Sequence, residues 1–345
     1  MKRFLIKIGF TVFPLWLAIV GLVFYYYHTI VPNMQGDLGR LGKIPTKLFY
    51  ERDSDKAVQK TLFSTIEYID SIQSDTFDIM TCGDSFSQID LYGYQNFMSI
   101  KGSRIINYFP NGPLRWNPFQ SAIDLMNLGF IDSTKVKALI IESVERSLYK
   151  RLCDLDFTHV LLGEEHEITK HSDDNWNLSE AKIYLDFRLG LKDDEYPVKH
   201  LNMKKQLFSG AKGRSLYFYH EDVVENGLSI PKVFYTKIRA NVDSLYGIAS
   251  EKGIRLFILV CPDKYDLYQD YIEDNPYPRK TVNEDFREIV GNRDDIIIGK
   301  EILLPYLKKG EKDMYYLDDT HWTYKSAKII ADTLTNLYNK AIINQ

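Results

Sequence analysis

Cysteine is scarce in this chain. Cys82, Cys153 and Cys261 are three in 345 residues. An odd number at irregular spacing indicates neither a disulfide framework nor a thiolate metal site. Cys82 and Cys261 each end an apolar run and read as buried thiols, a pattern that a periplasmic location tolerates. Excess basic charge is missing too. The formal net charge is -4 and the isoelectric point is near 6.0, with no basic stripe, zinc-finger or RNA-binding signature, so no nucleic-acid partner is expected. Internal repeats, low-complexity tracts and a Gly-rich nucleotide fingerprint are absent. Glu164, Glu165, His166 and His171 fit no recognised ligand spacing and read as a solvated loop. Neither a metal nor another cofactor is therefore expected.

The most informative absence is local. From Ile8 to Tyr27 there is no charged side chain, while Lys2, Arg3 and Lys7 precede the run. That length crosses the hydrocarbon core as a helix. The basic flank predicts a cytoplasmic N-terminus, and Tyr25, Tyr26 and Tyr27 form an aromatic belt at the far side. A cleaved signal peptide would be shorter and end in a small-x-small site, which Phe24-Tyr25-Tyr26-Tyr27-His28 does not offer. Pro14 is a tolerated kink within a span. The expectation is a single-pass anchor in the cytoplasmic membrane at residues 1–30, with the remaining chain on the periplasmic or other extracytoplasmic side.

What is present is a large apolar and aromatic complement, 45% hydrophobic with 24 Tyr, 19 Phe and 4 Trp, enough for a substantial core. Val31 to Pro45, punctuated by Pro and Gly, reads as an irregular juxtamembrane linker. Leu62, Ile66, Ile69 and Ile72 have helical spacing and predict a helix within Asp55 to Gln73, so residues 31–74 read as linker and helix. From residue 75 onward strands and helices alternate. Strands are expected at 77–82, Arg104–Tyr108, Val136–Ile141, Ile254–Val260 and Asp295–Ile298. Helices are expected at Asn117–Leu128, Lys237–Lys252, Asn283–Val290 and Thr323–Tyr338. The pattern loosens at about 152–235, which reads as an insertion that could help shape a cleft and contains a short strand at Ser215. Strand-helix alternation implies right-handed crossovers and a mainly parallel α/β sheet. Chemistry in such sheets gathers at the carboxyl ends of the strands.

Two polar clusters lie at opposite ends of this domain. Gly83-Asp84-Ser85-Phe86-Ser87 follows the first strand, and Asp318-Asp319-Thr320-His321-Trp322 precedes the last helix. A serine hydroxyl is a poor nucleophile until a base takes its proton, and the base works best when a third group orients it. Ser85, His321 and Asp319 supply these three roles, with Asp318 as the alternative acid. The plain reading is a turn serine and an Asp-Thr cap on the following helix, but the two-ended combination favours catalysis. Position 87 is Ser, so this is not the GxSxG elbow.

Gly83-Asp84-Ser85 resembles the first block of the SGNH (GDSL-type) hydrolase superfamily. Together with Asp319-Thr320-His321-Trp322 it resembles the SGNH-like domain of the alginate O-acetyltransferases of the AlgJ and AlgX type. Ile140 to Ser147, and Pro262-Asp263-Lys264-Tyr265-Asp266-Leu267-Tyr268, resemble further segments of that family. Those proteins place DTHW before GDSFS, whereas the order here is that of ordinary SGNH enzymes, and Ser326 stands where a Gly is expected. The resemblance implies a three-layer sandwich around the parallel sheet, spanning about residues 75–340 with the insertion unmatched. It implies that a membrane-embedded acyltransferase supplies the acyl donor and that a polysaccharide is the acceptor. Gly112 lies where such enzymes carry a second oxyanion glycine, and Arg146 where they usually place an asparagine. Arg146 therefore reads either as an oxyanion or substrate donor or as a salt-bridge partner of Glu142 or Glu145. Trp322 reads either as a sugar-stacking surface or as a core lock for the histidine loop. Lys264 and Tyr268 read as structural or surface residues. An esterase with the same triad, and a non-catalytic polysaccharide-binding or assembly subunit, are the rival readings.

Overall fold

The computed structural model describes residues 2–66, 76–109, 117–160, 196–224 and 227–343. An apolar helix runs over Lys2–Tyr25 and continues as tighter and wider turns through Asn33. Gly9–Asn33 is long and apolar enough to cross a membrane, with mean hydropathy 1.8 and 6% of its most apolar stretch buried. It is a candidate span.

Six parallel strands form the central sheet: β1 (Ser64–Ile66), β2 (Ile79–Cys82), β3 (Ile105–Tyr108), β4 (Ala138–Val144), and, beyond a separate ribbon of β5 (Val198–Asn202) and β6 (Ser215–Tyr219), β7 (Arg255–Cys261) and β8 (Ile296–Ile298). Their spatial order is β1-β3-β2-β4-β7-β8. Thr81 is paired with Asn107 on one side and Ile140 on the other, so β2 is central. Side chains alternate across a strand, and the core divides accordingly. Ala138, Ile140, Phe257 and Leu259 enter one apolar cluster, and Leu139, Ile141, Leu256 and Ile258 enter the other. Helices Pro118–Asn127, Tyr235–Glu251 and Val282–Val290 cover the second face. Helices Tyr94–Ile100, Gly299–Lys308 and Tyr324–Ile343 cover the first. The three-layer α/β expectation therefore holds, and each strand expected from residue 75 onward is present within a few residues of its predicted limits.

Two expectations for the preceding stretch need correction. Ser64–Ile66 is not helical but an edge strand, with Ser64 opposite Ile106 and Ile66 opposite Tyr108. Leu62 is exposed, and pairing with β3 decides the conformation of β-branched Thr65 and Ile66. Ile69 and Ile72 lie outside the described residues. The stretch read as an irregular juxtamembrane linker folds back onto the domain. Leu38, Ile44 and Tyr50 are buried in the same cluster as the first sheet face, and Asp37–Leu41 makes a short helix.

The insertion contributes the antiparallel ribbon, with Val198 opposite Tyr219 and Asn202 opposite Ser215. Leu216 and Phe218 bury into the main core. The ribbon ends beside the carboxyl edge of the sheet, where Tyr219 and Glu221 help line a cavity. The Glu164 to His171 stretch lies outside the described residues.

Candidate active site

The serine turn follows β2 directly, and close packing dictates its glycine. A Cβ on Gly83 would fall 2.0 Å from Ser87 Oγ and 2.5 Å from Glu142 Oε2. Glu142 Oε2 accepts Asp84 N–H at 3.0 Å and the Ser87 hydroxyl at 2.9 Å. Burial, then the neighbouring Asp84 charge, raises the Glu142 pKa well above the usual carboxyl range. Asp84 has the opposite fate. Burial pushes it up, but Arg151 at 2.6 Å and Val144 N–H at 2.8 Å hold it below its ordinary value. With its turn fastened on both sides, Ser85 opens a short 3-10 helix, Ser85–Ser87. Its N–H is thus one of the orphan donors at a helix start, available to a developing oxyanion.

Ser85 lines a cavity of about 580 Å³ together with Tyr108, Arg146, Arg151, Tyr219 and Glu221. Arg146 contacts Asp263 at 2.5 Å and Asp222 at 3.3 Å. These partners, and not the expected Glu142 or Glu145, take its charge. Both anticipated glutamates are fully buried, and Glu145 Oε2 accepts Asp263 N–H. Lys280 lies behind, 2.7 Å from Asp263. Two cations facing two aspartates leave the guanidinium fixed at the cavity wall. Gly112, the other oxyanion candidate, lies outside the described residues.

The histidine loop is built from several elements. Lys264, buried at the head of a short helix after β7, donates to the carbonyls of Tyr316, Leu317 and Asp319 at 2.6, 2.9 and 3.0 Å. Burial pulls its amine down to about 7, against the nearby Asp318 and Asp319 charges. Tyr268 is equally buried and its hydroxyl accepts Tyr315 N–H. Both residues are structural, and neither is a surface residue.

On this loop His321 Nδ1 donates to Asp319 Oδ1 at 2.7 Å, the tautomer following from the bond. Asp319 is the paired carboxylate. Asp318 faces away, accepting from Gly36 N–H at 2.9 Å, Thr46 Oγ1 at 3.0 Å and Arg52 Nη2 at 2.8 Å. Burial raises the Asp319 pKa, but the bond to His321, the His321 charge and Arg52 together hold it far below the usual range. Burial likewise lowers His321, and the Asp319 bond and charge outweigh it, leaving its pKa raised above 6.5.

The His321 ring packs on Phe86, the residue after Ser85, at a centroid distance of 4.8 Å. Its Nε2 is buried without a hydrogen-bond partner among the described residues. The Ser85 hydroxyl is not bonded to it in this state. Such bonds often tighten only once substrate is present. Trp322 is 1% exposed and meets Phe86 edge-on at 4.8 Å. A buried indole has no face to offer a sugar, so the stacking expectation is corrected in favour of the core lock.

Sequence reasoning missed Asp37. Its Oδ1 accepts Thr320 N–H at 2.7 Å and its Oδ2 lies 3.7 Å from His321 Nδ1. It also missed Arg52 and Arg151, polar residues in stretches with no local pattern to single them out. Donor atoms of Asp37, Asp319 and His321 lie within 4.8 Å of one another. The 2.7 Å spacing of Nδ1 and Oδ1 is that of a charge-assisted hydrogen bond.

No curated protein matches the chain, and neither does any solved structure. A family model does match, over residues 237–345. The matched part carries β7, β8, Lys264, Asp319 and His321, while Ser85 and its turn lie outside it. By that match, the carboxy-terminal part of this chain is similar to the SGNH hydrolase-like domain of the acetyltransferase AlgX, the family that the two polar clusters resemble.

Proposed function

We propose that this protein is a membrane-anchored serine O-acyltransferase, acting with acetyl on a surface or secreted polysaccharide. The carrying observation is the His321–Asp319 pair: the imidazole ring packs on Phe86, the residue that follows Ser85, and its Nε2 is buried with no hydrogen-bond partner among the described residues. The Ser85 hydroxyl attacks the donor's acyl carbonyl while His321 Nε2 takes its proton, and Asp319 stabilises the imidazolium. The Ser85 N–H receives the oxyanion, and His321 returns the proton to the departing group, leaving acyl-serine. An acceptor hydroxyl then gives its proton to His321, attacks the ester, and restores the Ser85 hydroxyl.

Arg146, fixed at the cavity wall, orients substrate by charge-assisted hydrogen bonds. Tyr219 and Tyr108 line the same cavity and offer amphipathic ring surface for a sugar. The apolar helix supports an anchor in the cytoplasmic membrane with the N-terminus inside and the domain periplasmic or otherwise extracytoplasmic. On this reading a membrane-embedded acyltransferase supplies the acyl group. An esterase would use the same residues and differ only in admitting water to the acyl-enzyme.

The test uses the full chain in detergent with an activated acetyl ester, with and without candidate polysaccharides, following protein mass and acceptor mass together. An acetyl adduct absent in Ser85→Ala and discharged onto the sugar is the expected result. Discharge to water alone would make the protein an esterase. A folded protein that forms no adduct would be a binding or assembly subunit.

A further inference from the structure

The residues just after the apolar helix reach the histidine loop from the far end of the sequence. Gly36 N–H donates to Asp318 Oδ2 at 2.9 Å, and Gly39 N–H to the Asp318 carbonyl at 3.0 Å. A Cβ on Gly36 would fall 1.8 Å from that carbonyl oxygen, so the two backbones are in direct contact. Between these glycines stands Asp37. It accepts both the N–H and the hydroxyl of Thr320, the residue that separates Asp319 from His321. Its second oxygen, 3.7 Å from Nδ1, gives the imidazole a second carboxylate beside the one it is bonded to.

We propose that Asp37 is a positioning residue for His321, and that the turn carrying it couples the membrane anchor to the catalytic loop. By gripping Thr320 on two atoms, Asp37 fixes the loop between acid and base. Its negative charge also favours the imidazolium that forms when His321 takes the Ser85 proton. Asp37 is four residues beyond Asn33, where the candidate span ends. At no more than ~3.6 Å per extended residue, the Asp37 Cα lies within about 14 Å of that end. A donor presented at the membrane surface therefore meets the site close to where the chain emerges.

Other charges also face the imidazole. Asp319 is on its own loop and Asp84 on the serine turn. Arg52 acts through Asp319, and Lys264 through the loop carbonyls. The test must therefore isolate Asp37. Its activity arm rests on the acyl-transfer reading, so a second arm needs no turnover.

Full-length protein with labelled histidine is compared as wild type, Asp37→Asn and Asp37→Glu, with His321→Gln assigning the resonance. In Asp37→Asn the His321 imidazole titrates at lower pH, by about half a unit or more for a charge at this distance. Ser85 acylation falls roughly tenfold at its plateau, as expected for a loosened general base, and its acidic limb shifts with the resonance. Asp37→Glu recovers part of both effects.

A folded Asp37→Asn protein whose His321 titrates as in wild type overturns the proposal, whatever its rate. Should wild type form no acyl-serine, the enzymatic reading fails while the titration still decides the role of Asp37. If Asp37→Asn does not fold, Asp37→Ser, which can still accept from Thr320 N–H without the charge, takes its place. Unfolding of both assigns Asp37 a purely structural role and overturns the proposal.

Discussion

Asp319 divides its two oxygens between His321 and Arg52. Oδ1 lies 2.7 Å from Nδ1 of the imidazole, and Oδ2 lies 3.0 Å from the guanidinium. The same Arg52 nitrogen reaches Asp318 at 2.8 Å, and the guanidinium rests over the Tyr316 ring at 4.4 Å. One planar cation thus holds both candidate acids and leaves only one of them facing the histidine.

Replacing that cation should separate charge from geometry. Arg52→Lys keeps the charge but cannot reproduce the planar fork. It is expected to slow Ser85 acylation roughly tenfold, the scale of a small misplacement in a positioned group, with little loss of binding to the activated ester. Single-turnover kinetics over a range of ester concentrations checks this. A rate equal to wild type would show that Asp319 needs no second partner.

The neighbouring aspartates should fail in different ways. Asp319→Asn removes the acceptor that fixes the tautomer of His321, and acylation should fall by about 10³ to 10⁴ with a modest change in stability. Asp318→Asn leaves Arg52 and Thr46 short of a buried carboxylate, and should cost about 2–3 kcal/mol in chemical denaturation. Equal loss of acylation in two equally stable variants would contradict the assignment.

Opposite pH dependences follow from the same pair. Acylation needs neutral His321, so it rises with pH through a histidine pKa that is raised above 6.5. The stability that His321 contributes runs the other way. It is complete below the unfolded value of about 6.5 and is lost as pH rises through the folded one. The Asp319 contribution is present above about 3.9 and is lost as pH falls through its depressed folded value. The pair therefore stabilises most between about 4 and 6.5, below the pH of best activity. Thermal melts across pH, with His321→Gln as the control that flattens the upper limb, would reveal the offset or its absence.

Glu142 carries a different sign. Its folded pKa is raised by burial and by Asp84, so its effect on stability worsens as pH rises from about 4.3 toward the folded value. Glu142→Gln is isosteric and cannot ionise. Its melting temperature should therefore gain on wild type progressively between about pH 5 and 8. A gain that stays flat over that range would mean the carboxyl is already ionised in the folded protein.

The central strands could be read because their apolar runs are longer than any competing signal. Ile254 to Val260 and Val136 to Ile141 announce buried strands, and the turn after Met80 announces itself by Gly-Asp-Ser. His321 and its acid were legible because they lie two residues apart in one short polar cluster. Arg52 and Asp37 were not, since their reasons for being there lie nearly the whole chain away. The edge strand at Ser64 was hidden because three residues carry no period. Arg146 was placed correctly at a strand end, yet its partners Asp222 and Asp263 come from the insertion and from the end of β7, which sequence proximity to Glu142 and Glu145 obscured.

The last helix, Tyr324–Ile343, packs on the same core face as Tyr94–Ile100, the helix that follows the serine turn. The histidine loop leads into that last helix and is met by Gly36, Asp37 and Gly39, just beyond the apolar helix. This arrangement sets a schedule during synthesis. The apolar helix, Asp37, Arg52 and Ser85 are all synthesised before the histidine loop that they meet. On the proposed reading, a nascent chain that still lacks His321 carries an inert serine. On the proposed reading, with the first helix as an anchor that enters the membrane as it emerges, the domain would cross before the histidine loop closes on Ser85, which would keep cytoplasmic acyl donors from an activated serine.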